Sequence, residues 1–578
     1  MARTPLLRYL TGLVSETTAA RRAGVDLDEL RERNTTSRRE FLEGATLALV
    51  GTTMACSDDR TWSGVVSSTL RSERRVAIVG GGMAGLTAAL TLADAGFAST
   101  IYEASPGRVG GRMMSDRPER PGCGSCHGVS RSLGGTWADG QVTDVFGEMI
   151  DGGHWTMRHL AHRYRLPLVD SLRAEPPGST STYWFGGGYY TRAEVDADYA
   201  TIDRALRDDL HAAKYPTSYE LSTPEGRALD AMSVYEWIES RVPGGHASRL
   251  GQLLDTAYAI EYGADTTDQS SLNLLYLLGY NRGKAFREFG PSDERFRIEG
   301  GIEELPRTIS ADLSRRGVPI EMDQWLESIG RRSDGTYQLS FSTASGSVRE
   351  VLADIVVLAV PFSVVRNLDY AGAGFDALKE RAITELGAGH NGKLQLQFSR
   401  RLWNEPGPWG IGNGSGYGAD FQAIWEPTRG FAGTSGILVN YTGGSTTDAM
   451  RTWHVYGVAP SSSVVWDART FLSRVDPVFP GLGEVWNGRA AASVAHKSPF
   501  FRCSYAYWRP GQCHTFGGYE RVRQGNVFFA GEHTSLDYQG YMEGAASEGE
   551  RAGKEILAEL RGPIAARTVG LRGAAAHA

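Results

Sequence analysis

Short, continuous runs of apolar residues recur along the chain, and they predict buried strands. The first run, at 75–79, reads Arg-Val-Ala-Ile-Val and leads directly into a glycine-rich turn. Residues 86–95 then follow a helical pattern that stops at Gly96, and glycine commonly ends helices. Another short apolar run, at 100–102, comes next. Strand, glycine turn, helix and strand in this order predict a parallel βαβ unit.

Distant parts of the chain carry matching runs. Residues 353–361 form an apolar run that ends at a proline, and residues 526–530 form another that precedes a helical pattern through Leu560. We therefore expect separated segments to complete one sheet. Residues 392–398 differ, because apolar and polar positions alternate there. This alternation predicts a half-buried strand with Lys393 on its polar face.

Composition narrows the possible classes of function. The chain has 578 residues, enough for two or three lobes around large cores. Its net charge of -7 argues against a nucleic-acid binder held by a general positive field. Five cysteines in this length exclude a disulfide scaffold. Most basic residues are arginines, so each of the few lysines is a candidate for a specific role.

The glycine turn has the spacing of a dinucleotide-binding fingerprint. Its glycines are Gly80, Gly82 and Gly85, and Glu103 ends the second strand. In this fingerprint the first glycine permits a tight turn, the second lets the backbone approach a pyrophosphate, and the third lets helix and strand pack closely. The helix N-terminus offers free N–H groups, and the acidic residue is placed for a ribose hydroxyl. A flexible surface turn is the alternative interpretation.

Two later motifs resemble those of the flavin-containing amine oxidase family, which includes monoamine, polyamine and L-amino-acid oxidases. One is the run 108–115, with a glycine pair before Arg112; the other is the C-terminal pair of runs 531–534 and 540–545. The resemblance implies an FAD cofactor. The implied FAD contacts are Gly80, Gly82, Met83, Ala84, Gly85, Glu103, Ala104, Arg108, Gly110, Gly111, Arg112, Gly531, Glu532, Gly540, Tyr541 and Met542.

The same resemblance implies which residues take part in the chemistry. Lys393 matches the lysine that the family bridges through water to flavin N5, where a cation assists the reaction of reduced flavin with dioxygen. A solvated strand lysine is the alternative. Tyr541 is implied to face the flavin ring and to form one wall of an aromatic substrate cage. Trp425 is either a second wall of that pocket or a core residue.

The resemblance implies oxidation of an amine, and bacterial secreted L-amino-acid oxidases are the most similar branch. We therefore expect hydride transfer from the substrate α-carbon to flavin N5, giving an imine, then a 2-oxo acid and ammonia, with hydrogen peroxide formed from dioxygen. One departure is that Ile150 stands where several L-amino-acid oxidases carry a carboxylate-binding arginine. The alternatives are a monoamine or polyamine oxidase and an FAD-binding dehydrogenase or desaturase that does not use oxygen.

Cysteine positions raise two further questions. Cys123 and Cys126 precede His127 in a C-x-x-C-H pattern that can attach haem. The family has no haem there, so a local disulfide, a metal site or inert thiols are the alternatives. Cys503 lies near the position where some monoamine oxidases bond flavin covalently, but Ala495 replaces the family's nearby tryptophan. We therefore expect non-covalent FAD.

The first 60 residues resemble a twin-arginine export signal. Arg38 and Arg39 precede a weakly apolar stretch at 44–55, as such signals do. A surface helix with a basic start is the alternative. The stretch is shorter than the roughly 20 residues that span a bilayer. Cys56 is a candidate for lipid attachment, although the residues before it match that signal poorly. We expect export to the periplasm or the medium.

Together these features predict an α/β fold class with an α+β substrate lobe. We expect a Rossmann-like FAD-binding domain assembled from separated segments, a mixed-sheet substrate domain and a helical domain. The expected segments are 74–113, 292–370 and 520–562 for FAD, 114–170 and 371–519 for the substrate, 171–291 for the helices, and 563–578 for a tail. The expected partners are an amino acid or amine, dioxygen and a second copy of the chain, with no nucleic acid and no membrane span.

Overall fold

The computed structural model describes residues 74–116, 136–281 and 285–560. The predicted export signal with Cys56, the pair Cys123 and Cys126, and the C-terminal tail lie outside the described residues. Within those three ranges, no helix combines the length and the apolar character needed to cross a bilayer.

The strands are mostly short, as expected for an α/β chain with many turns. They are β1 (Val76–Val79), β2 (Thr100–Tyr102), β3 (Ser115–Asp116), β4 (Thr143–Asp144), β5 (Leu168–Asp170), β6 (Thr180–Phe185), β7 (Gly188–Tyr189), β8 (Phe296–Ile298), β9 (Ile320–Glu321), β10 (Trp325–Arg331), β11 (Tyr337–Ser342), β12 (Val348–Ala353), β13 (Ile355–Leu358), β14 (Gly387–Ala388), β15 (Asn391–Phe398), β16 (Gly412–Gly418), β17 (Gln422–Trp425), β18 (Gly436–Gly443), β19 (Tyr456–Val458), β20 (Trp486–Val494), β21 (Ala506–Tyr507) and β22 (Val527–Phe529).

Five helices, α3 to α7, follow one another between residues 192 and 278, and the others are spread along the described chain. They are α1 (Met83–Asp94), α2 (Trp155–Arg163), α3 (Arg192–Ala213), α4 (Pro224–Ala231), α5 (Val234–Arg241), α6 (Arg249–Tyr262), α7 (Ser271–Leu278), α8 (Glu304–Arg315), α9 (Phe362–Val365), α10 (Ala377–Glu385), α11 (Ser445–Asp448), α12 (Ser462–Val475), α13 (Gln512–Phe516) and α14 (Met542–Leu560).

A five-stranded parallel sheet joins distant parts of the chain in the order β22–β13–β1–β2–β9. Its strands β1, β13 and β22 are the apolar runs identified in the sequence, and they are buried because helices cover the sheet. Helix α14 packs directly on α1. A Cβ atom at Gly549 would lie only 2.1 Å from the carbonyl oxygen of Ala84, so glycine permits this close approach. The predicted α/β fold class is confirmed.

A mixed eight-stranded sheet forms the second large unit, in the order β19–β20–β15–β18–β17–β16–β6–β7. Its strand β15 is buried along its whole length, so the prediction of a half-buried strand is wrong. One face of β15 carries Leu394 and Leu396 into an apolar core. The other face carries Lys393 and Gln395, and the loop around Asp144 covers it by accepting hydrogen bonds from both. The alternation of apolar and polar residues in β15 therefore reflects two buried faces with different surroundings, and not one buried and one exposed face.

The segment assigned to the helical domain begins with two strands. Strands β6 and β7 belong to the eight-stranded sheet, and the long helices begin only at Arg192. Sequence pattern missed this because β6 pairs in parallel with β16, which lies far along the chain. Within the helical segment, Thr191 and Ser233 both form capping boxes that satisfy the first backbone N–H groups of α3 and α5.

Candidate active site

A cavity of about 330 Å³ lies at the carboxyl ends of the parallel strands. Val79 and Gly80 continue β1 into its wall, Glu103 follows β2, and Ala359 follows β13. Gly531, shortly after β22, closes the same wall from the C-terminal segment. Ligands of open α/β sheets bind at this edge, where the strand order reverses. The topology therefore places the cavity where a dinucleotide site is expected.

The glycine turn has the geometry that the fingerprint requires. Gly80 adopts φ +102°, and a Cβ there would lie 2.8 Å from the carbonyl oxygen of Ala359. At Gly85 a Cβ would lie 1.9 Å from the carbonyl oxygen of Gly80, so only glycine lets α1 pack against the turn. A Cβ at Gly82 would meet nothing within 4 Å, which leaves open space over the backbone that begins α1. This bare helix N-terminus suits a phosphate.

Glu103 has a structural task as well as a place on the cavity wall. Its carboxylate accepts hydrogen bonds from the backbone N–H of Gly81 at 2.6 Å and of Ser105 at 2.8 Å. Burial raises the pKa of the Glu103 carboxyl, while these two bonds oppose the rise. Each oxygen keeps a further acceptor position, so the side chain both holds the glycine turn and remains able to accept from a ribose hydroxyl.

Arg108 does not line the cavity. Its guanidinium is buried and forms an ion pair with Glu303, with 3.0 Å between Nε and Oε1. It also donates to the carbonyl oxygens of Gly111 at 2.8 Å and Met113 at 2.5 Å. Arg108 therefore supports the second glycine turn from behind, rather than contacting a ligand in the cavity.

Arg112 and Glu532 connect the two ends of the chain across the cavity. Nη1 of Arg112 lies 2.9 Å from Oε1 of Glu532 and donates to the carbonyl oxygen of Ser504 at 2.7 Å. Glu532 Oε2 also accepts from the backbone N–H of Gly540 at 2.9 Å. This network brings the N-terminal and C-terminal motifs together on one wall.

The structure brings most of the predicted cofactor contacts to this one cavity. The predicted residues that line it are Gly80, Gly82, Met83, Ala84, Glu103, Ala104, Gly110, Gly111, Arg112, Gly531, Glu532, Gly540, Tyr541 and Met542. Gly85 and Arg108 lie behind the wall and act through packing and support. Lys393 also lines the cavity, whereas Trp425 lies beside it.

Some buried polar atoms at or near the cavity have no hydrogen-bond partner among the described residues. Both ring nitrogens of His533 are buried without a hydrogen-bond partner among the described residues, and His533 lines the cavity. Burial, with Arg112 nearby, holds the pKa of His533 well below its usual value, so the ring is neutral. Oε1 of Glu148 is likewise buried and unpartnered within the described ranges. Such atoms, together with the open glycine cradle, fit a polar dinucleotide.

Lys393 is held by a partner that sequence analysis did not identify. Its Nζ lies 2.5 Å from Oε2 of Glu148 and donates to the carbonyl oxygens of Asp144 at 2.9 Å and Phe146 at 3.2 Å. Glu148 lies two residues before Ile150, in a segment where the only feature predicted from the sequence was the absence of an arginine. A buried ammonium group requires a buried carboxylate beside it. An acidic residue in a neighbouring motif was therefore the signal in the sequence that could have identified Glu148.

Aromatic side chains form the far wall of the cavity. Tyr441, Tyr505 and Tyr541 line it, and the hydroxyl oxygens of Tyr441 and Tyr505 lie 3.2 Å apart. The ring of Trp425 packs edge-on against Tyr441 at 5.1 Å, and its Nε1 lies 3.3 Å from Oε2 of Glu148. Trp425 is half-buried and lies beside the residues that line the cavity, so its place in the substrate pocket stays a prediction.

Three glutamates, the acidic cluster, surround this aromatic wall; they are Glu261, Glu288 and Glu294. The hydroxyl of Tyr541 donates to Glu261 at 2.8 Å. Burial, with Asp151 nearby, raises the pKa of Glu261 to about 7. The protein around Glu294 and its acidic neighbours raise the pKa of that carboxyl to about 8.

The acidic cluster remains open to solvent although it is deep in the fold. Glu261 and Glu288 are half-buried and Glu294 is exposed. Glu294 also has a positive φ of 44°, an uncommon conformation for a side chain other than glycine. Strained backbone of this kind gathers at functional sites. Sequence analysis missed the cluster because Glu261 comes from α6, whereas Glu288 and Glu294 come from the irregular segment before β8.

Two further predicted features have clear positions. Ile150 is fully buried in an apolar cluster and pairs with Phe296, so no carboxylate is bound at that position. The thiol of Cys503 is buried and accepts a hydrogen bond from Ser363 Oγ at 3.1 Å. Burial raises the pKa of the Cys503 thiol, which disfavours the reactive thiolate.

Comparisons with known proteins agree with this geometry. The chain is 24% identical over 547 residues to nicotine dehydrogenase from Pseudomonas putida, covering 92% of this chain and 98% of that protein. It is 21% identical to an L-amino-acid oxidase from Pseudechis australis, covering 84% and 86%. The solved structure of cyclohexylamine oxidase from Brevibacterium oxydans has a TM-score of 0.68 at 20% identity, covering 85% of this chain and all of that one.

The family comparison spans nearly all of the described chain. Residues 83–557 match the model of the flavin containing amine oxidoreductases. The match begins within the glycine turn, after Gly82, and includes Gly85, Lys393 and the C-terminal motif; it confirms both the predicted resemblance and the FAD cofactor. On this basis, and on the cavity that its motifs build, the chain belongs to the flavin-containing amine oxidoreductase family.

Proposed function

We propose that the chain is an FAD-dependent amine oxidoreductase whose substrate is a cationic amine without a carboxylate. The observation that carries the proposal is the acidic cluster beside Tyr541. It favours the monoamine or polyamine alternative over the L-amino acids expected from the sequence. The similarity to nicotine dehydrogenase and cyclohexylamine oxidase supports the same choice.

The chain's own residues hold the cofactor without a covalent bond. The Gly82 turn and the start of α1 receive the pyrophosphate, and Glu103 accepts from the ribose. Arg112 and Glu532 support the opposite side. The Cys503 thiol is occupied with Ser363, which supports non-covalent binding. When bound, FAD accepts a hydride equivalent from the carbon that bears the amine.

Electrostatics explain the preference for a cation. The groups that act on Glu294, after the surrounding protein itself, are Asp151, Glu261, Glu148 and Glu288, all of them acids. Two basic side chains near these acids are already paired, Lys393 with Glu148 and Arg192 with Asp196. These acidic side chains attract an ammonium group, whereas a substrate carboxylate would add to their mutual repulsion.

The aromatic wall orients the amine. Tyr441, Tyr505 and Tyr541 present flat rings to the cavity, and their negative faces attract an alkylammonium group. Because the hydroxyl of Tyr541 donates a hydrogen bond to Glu261, the orientation of the tyrosine ring depends on that carboxylate. The tyrosines also exclude water, which strengthens the electrostatic interactions of the bound substrate.

An L-amino acid is the second candidate, supported by Arg297. Its guanidinium is buried, interacts electrostatically with Glu148, and has an Nε without a hydrogen-bond partner among the described residues. A small shift of this side chain would offer a donor to a carboxylate. The L-amino-acid oxidase relative supports this candidate.

We also propose dioxygen as the electron acceptor, with hydrogen peroxide as the product. Lys393 carries this part of the proposal, because its ammonium group lies on the cavity wall where it can stabilise negative charge on oxygen. The dehydrogenase alternative predicts normal flavin reduction by substrate and slow reoxidation in air.

The test is an anaerobic comparison of phenethylamine, putrescine and L-phenylalanine. We expect the two amines to bleach the flavin absorbance and L-phenylalanine to leave it unchanged. Bleaching by L-phenylalanine alone would refute the cationic-amine proposal. Peroxide release on admitting air distinguishes an oxidase from a dehydrogenase.

Variants of the acidic cluster sharpen the substrate assignment. At pH 9, where the Glu294 carboxyl is charged, Glu294→Gln is expected to raise KM for the reactive amine at least about tenfold, because it removes a negative charge from the acidic cluster. Glu350→Gln, on the exposed face of β12, is the matched control and should leave KM unchanged. An unchanged KM in Glu294→Gln would separate the cluster from substrate binding.

A further inference from the structure

A group of three potential metal ligands lies just behind the active-site wall, and amine oxidation does not use it. These side chains are His390, Asp448 and His496, and their ligand atoms lie within 4.8 Å of one another. We propose that they bind one divalent transition-metal ion, with Zn²⁺ as the representative species. The site takes two imidazole nitrogens and one carboxylate oxygen.

The distances suit a tetrahedral ion. Nδ1 of His390 lies 2.9 Å from Oδ1 of Asp448, and Nε2 of His496 lies 3.6 Å from the same oxygen. Zinc bonds of about 2.0–2.1 Å at tetrahedral angles place neighbouring ligand atoms roughly 3.3 Å apart. The two observed separations lie on either side of this value, and the stacked rings of His390 and His496 must turn so that their in-plane lone pairs converge on the ion.

The sheet itself brings the two histidines together. In the antiparallel pair of β15 and β20, Gly392 stands opposite Val494 and Lys393 stands opposite Ser493. Continued by two residues, the same register places His390 opposite His496. Their rings stack at 3.9 Å with 16° between their planes. Both histidines lie just beyond the paired strands, His390 immediately before β15 and His496 in a 3-10 turn that follows β20.

The third ligand comes from the neighbouring strand. Asp448 ends the short helix α11, which follows β18, and β18 pairs with β15 on its other side. The backbone N–H of Gly444 donates to the carbonyl oxygen of His390 at 3.0 Å, which fixes the start of α11 against the histidine. The three ligands thus lie at or beyond the ends of three neighbouring strands, β15, β18 and β20.

The chemical state of the ligands favours a metal. Nδ1 of His496 is buried without a hydrogen-bond partner among the described residues. Its other ring nitrogen, Nε2, faces Asp448 at 3.6 Å, which is beyond hydrogen-bond distance. The side chains of His390 and Asp448 are 39% and 53% exposed, which leaves an entry path and room for a water ligand.

One nearby group opposes a cation, and the ligand types select among metals. Lys497 lies beside His496 in the chain, but its ammonium group donates to the carbonyl oxygen of Thr452 at 2.9 Å. Two imidazoles and one carboxylate suit Zn²⁺, Co²⁺, Ni²⁺ or Cu²⁺, whereas Mg²⁺ and Ca²⁺ prefer oxygen ligands alone.

The proposed metal site is connected to the cavity wall through the residues next to its two histidines. Asn391 and Ala495, the neighbours of the two histidines, both line the active-site cavity. A bound ion would tie together the ends of β15 and β20 at this wall. The proposal concerns metal binding itself and does not depend on which amine is oxidised.

The experiment is titration of the full-length, tag-free, FAD-loaded protein with Zn²⁺ after removal of metals by a chelator. We expect one ion per chain by calorimetry, and Co²⁺ in its place is expected to show the absorption of a tetrahedral site. His390→Ala and His496→Ala should each lower the affinity at least about tenfold. Calcium should not compete.

His514→Ala is the matched control, because His514 also pairs with a carboxylate, that of Asp230, but has no second histidine. It should bind Zn²⁺ as the parent does. Asp448→Asn, which keeps the size of the side chain, covers the case in which a histidine variant fails to fold. Unchanged Zn²⁺ affinity in Asp448→Asn and in a folded histidine variant would overturn the proposal, as would the lack of any stoichiometric binding by the parent.

Discussion

The Nζ atom of Lys393 lies 2.5 Å from Oε2 of Glu148, in a buried ion pair on the wall of the cofactor cavity. The strand β15 supplies the lysine, and the loop that covers this strand supplies the glutamate. The pair keeps a positive charge at a fixed position in a site from which water is largely excluded. A charge held in this way needs little reorganisation when negative charge develops beside it.

Lys393→Met should slow the reaction of the reduced protein with dioxygen at least about tenfold, because the cation on the cavity wall is lost. Reduction by the amine should change much less. Stopped-flow measurement of the two half-reactions separates these effects. Lys554→Met, on the exposed side of α14, serves as the control. Equal slowing of both half-reactions would assign Lys393 a structural role only.

Arg112→Ala should weaken FAD retention, because it removes the ion pair that joins the two ends of the chain at the cavity. The flavin-to-protein ratio after gel filtration measures this loss. Added FAD should restore the ratio when present in excess, since the remaining contacts stay in place. A full flavin content in the dilute variant would contradict the assigned position of the cofactor.

Arg108→Ala should act on the fold rather than on the cofactor. The change leaves Glu303 buried without its cation and removes donors from two carbonyl groups, which costs roughly 3–5 kcal/mol. Chemical denaturation of the flavin-free protein measures this cost. The prediction is wrong if the flavin-free variant is as stable as the parent and only the loaded protein is weakened.

The acidic cluster predicts a pH dependence of cation binding. The pKa values of Glu261 and Glu294 are raised to about 7 and about 8, so both carboxyls gain charge as pH rises through this range. A quaternary ammonium inhibitor, whose own charge does not titrate, should therefore bind more tightly at pH 9 than at pH 6. Its Kd, followed by flavin absorbance, provides the measurement, and Glu294→Gln should flatten the profile.

Arg38→Lys together with Arg39→Lys should block export, because twin-arginine signals depend on the arginine pair. The variant is expected to stay inside the cell as folded, yellow protein. Fractionation of cells that carry the parent or the variant provides the test. Equal export of both would remove the assignment of the leader.

Local pattern was sufficient for the cofactor half of the protein. Three motifs can each be recognised from a few consecutive residues. They are the apolar run at 76–79, the glycine spacing from Gly80 to Gly85, and the C-terminal motif at Glu532. A turn that needs glycine, or a strand that must be buried, is determined by its own backbone and side chains. For this reason the α/β class and the residues around the cavity followed from sequence.

The substrate half depended on contacts between residues far apart in the chain. Glu148 meets Lys393 across 245 residues, and Glu261 meets Tyr541 across 280. No periodic pattern marks such pairs, because each side chain alone is compatible with a solvated surface. Only packing of the two sheets and the helices brings the charges together and removes water from around them. Their chemistry therefore became visible in the tertiary structure alone.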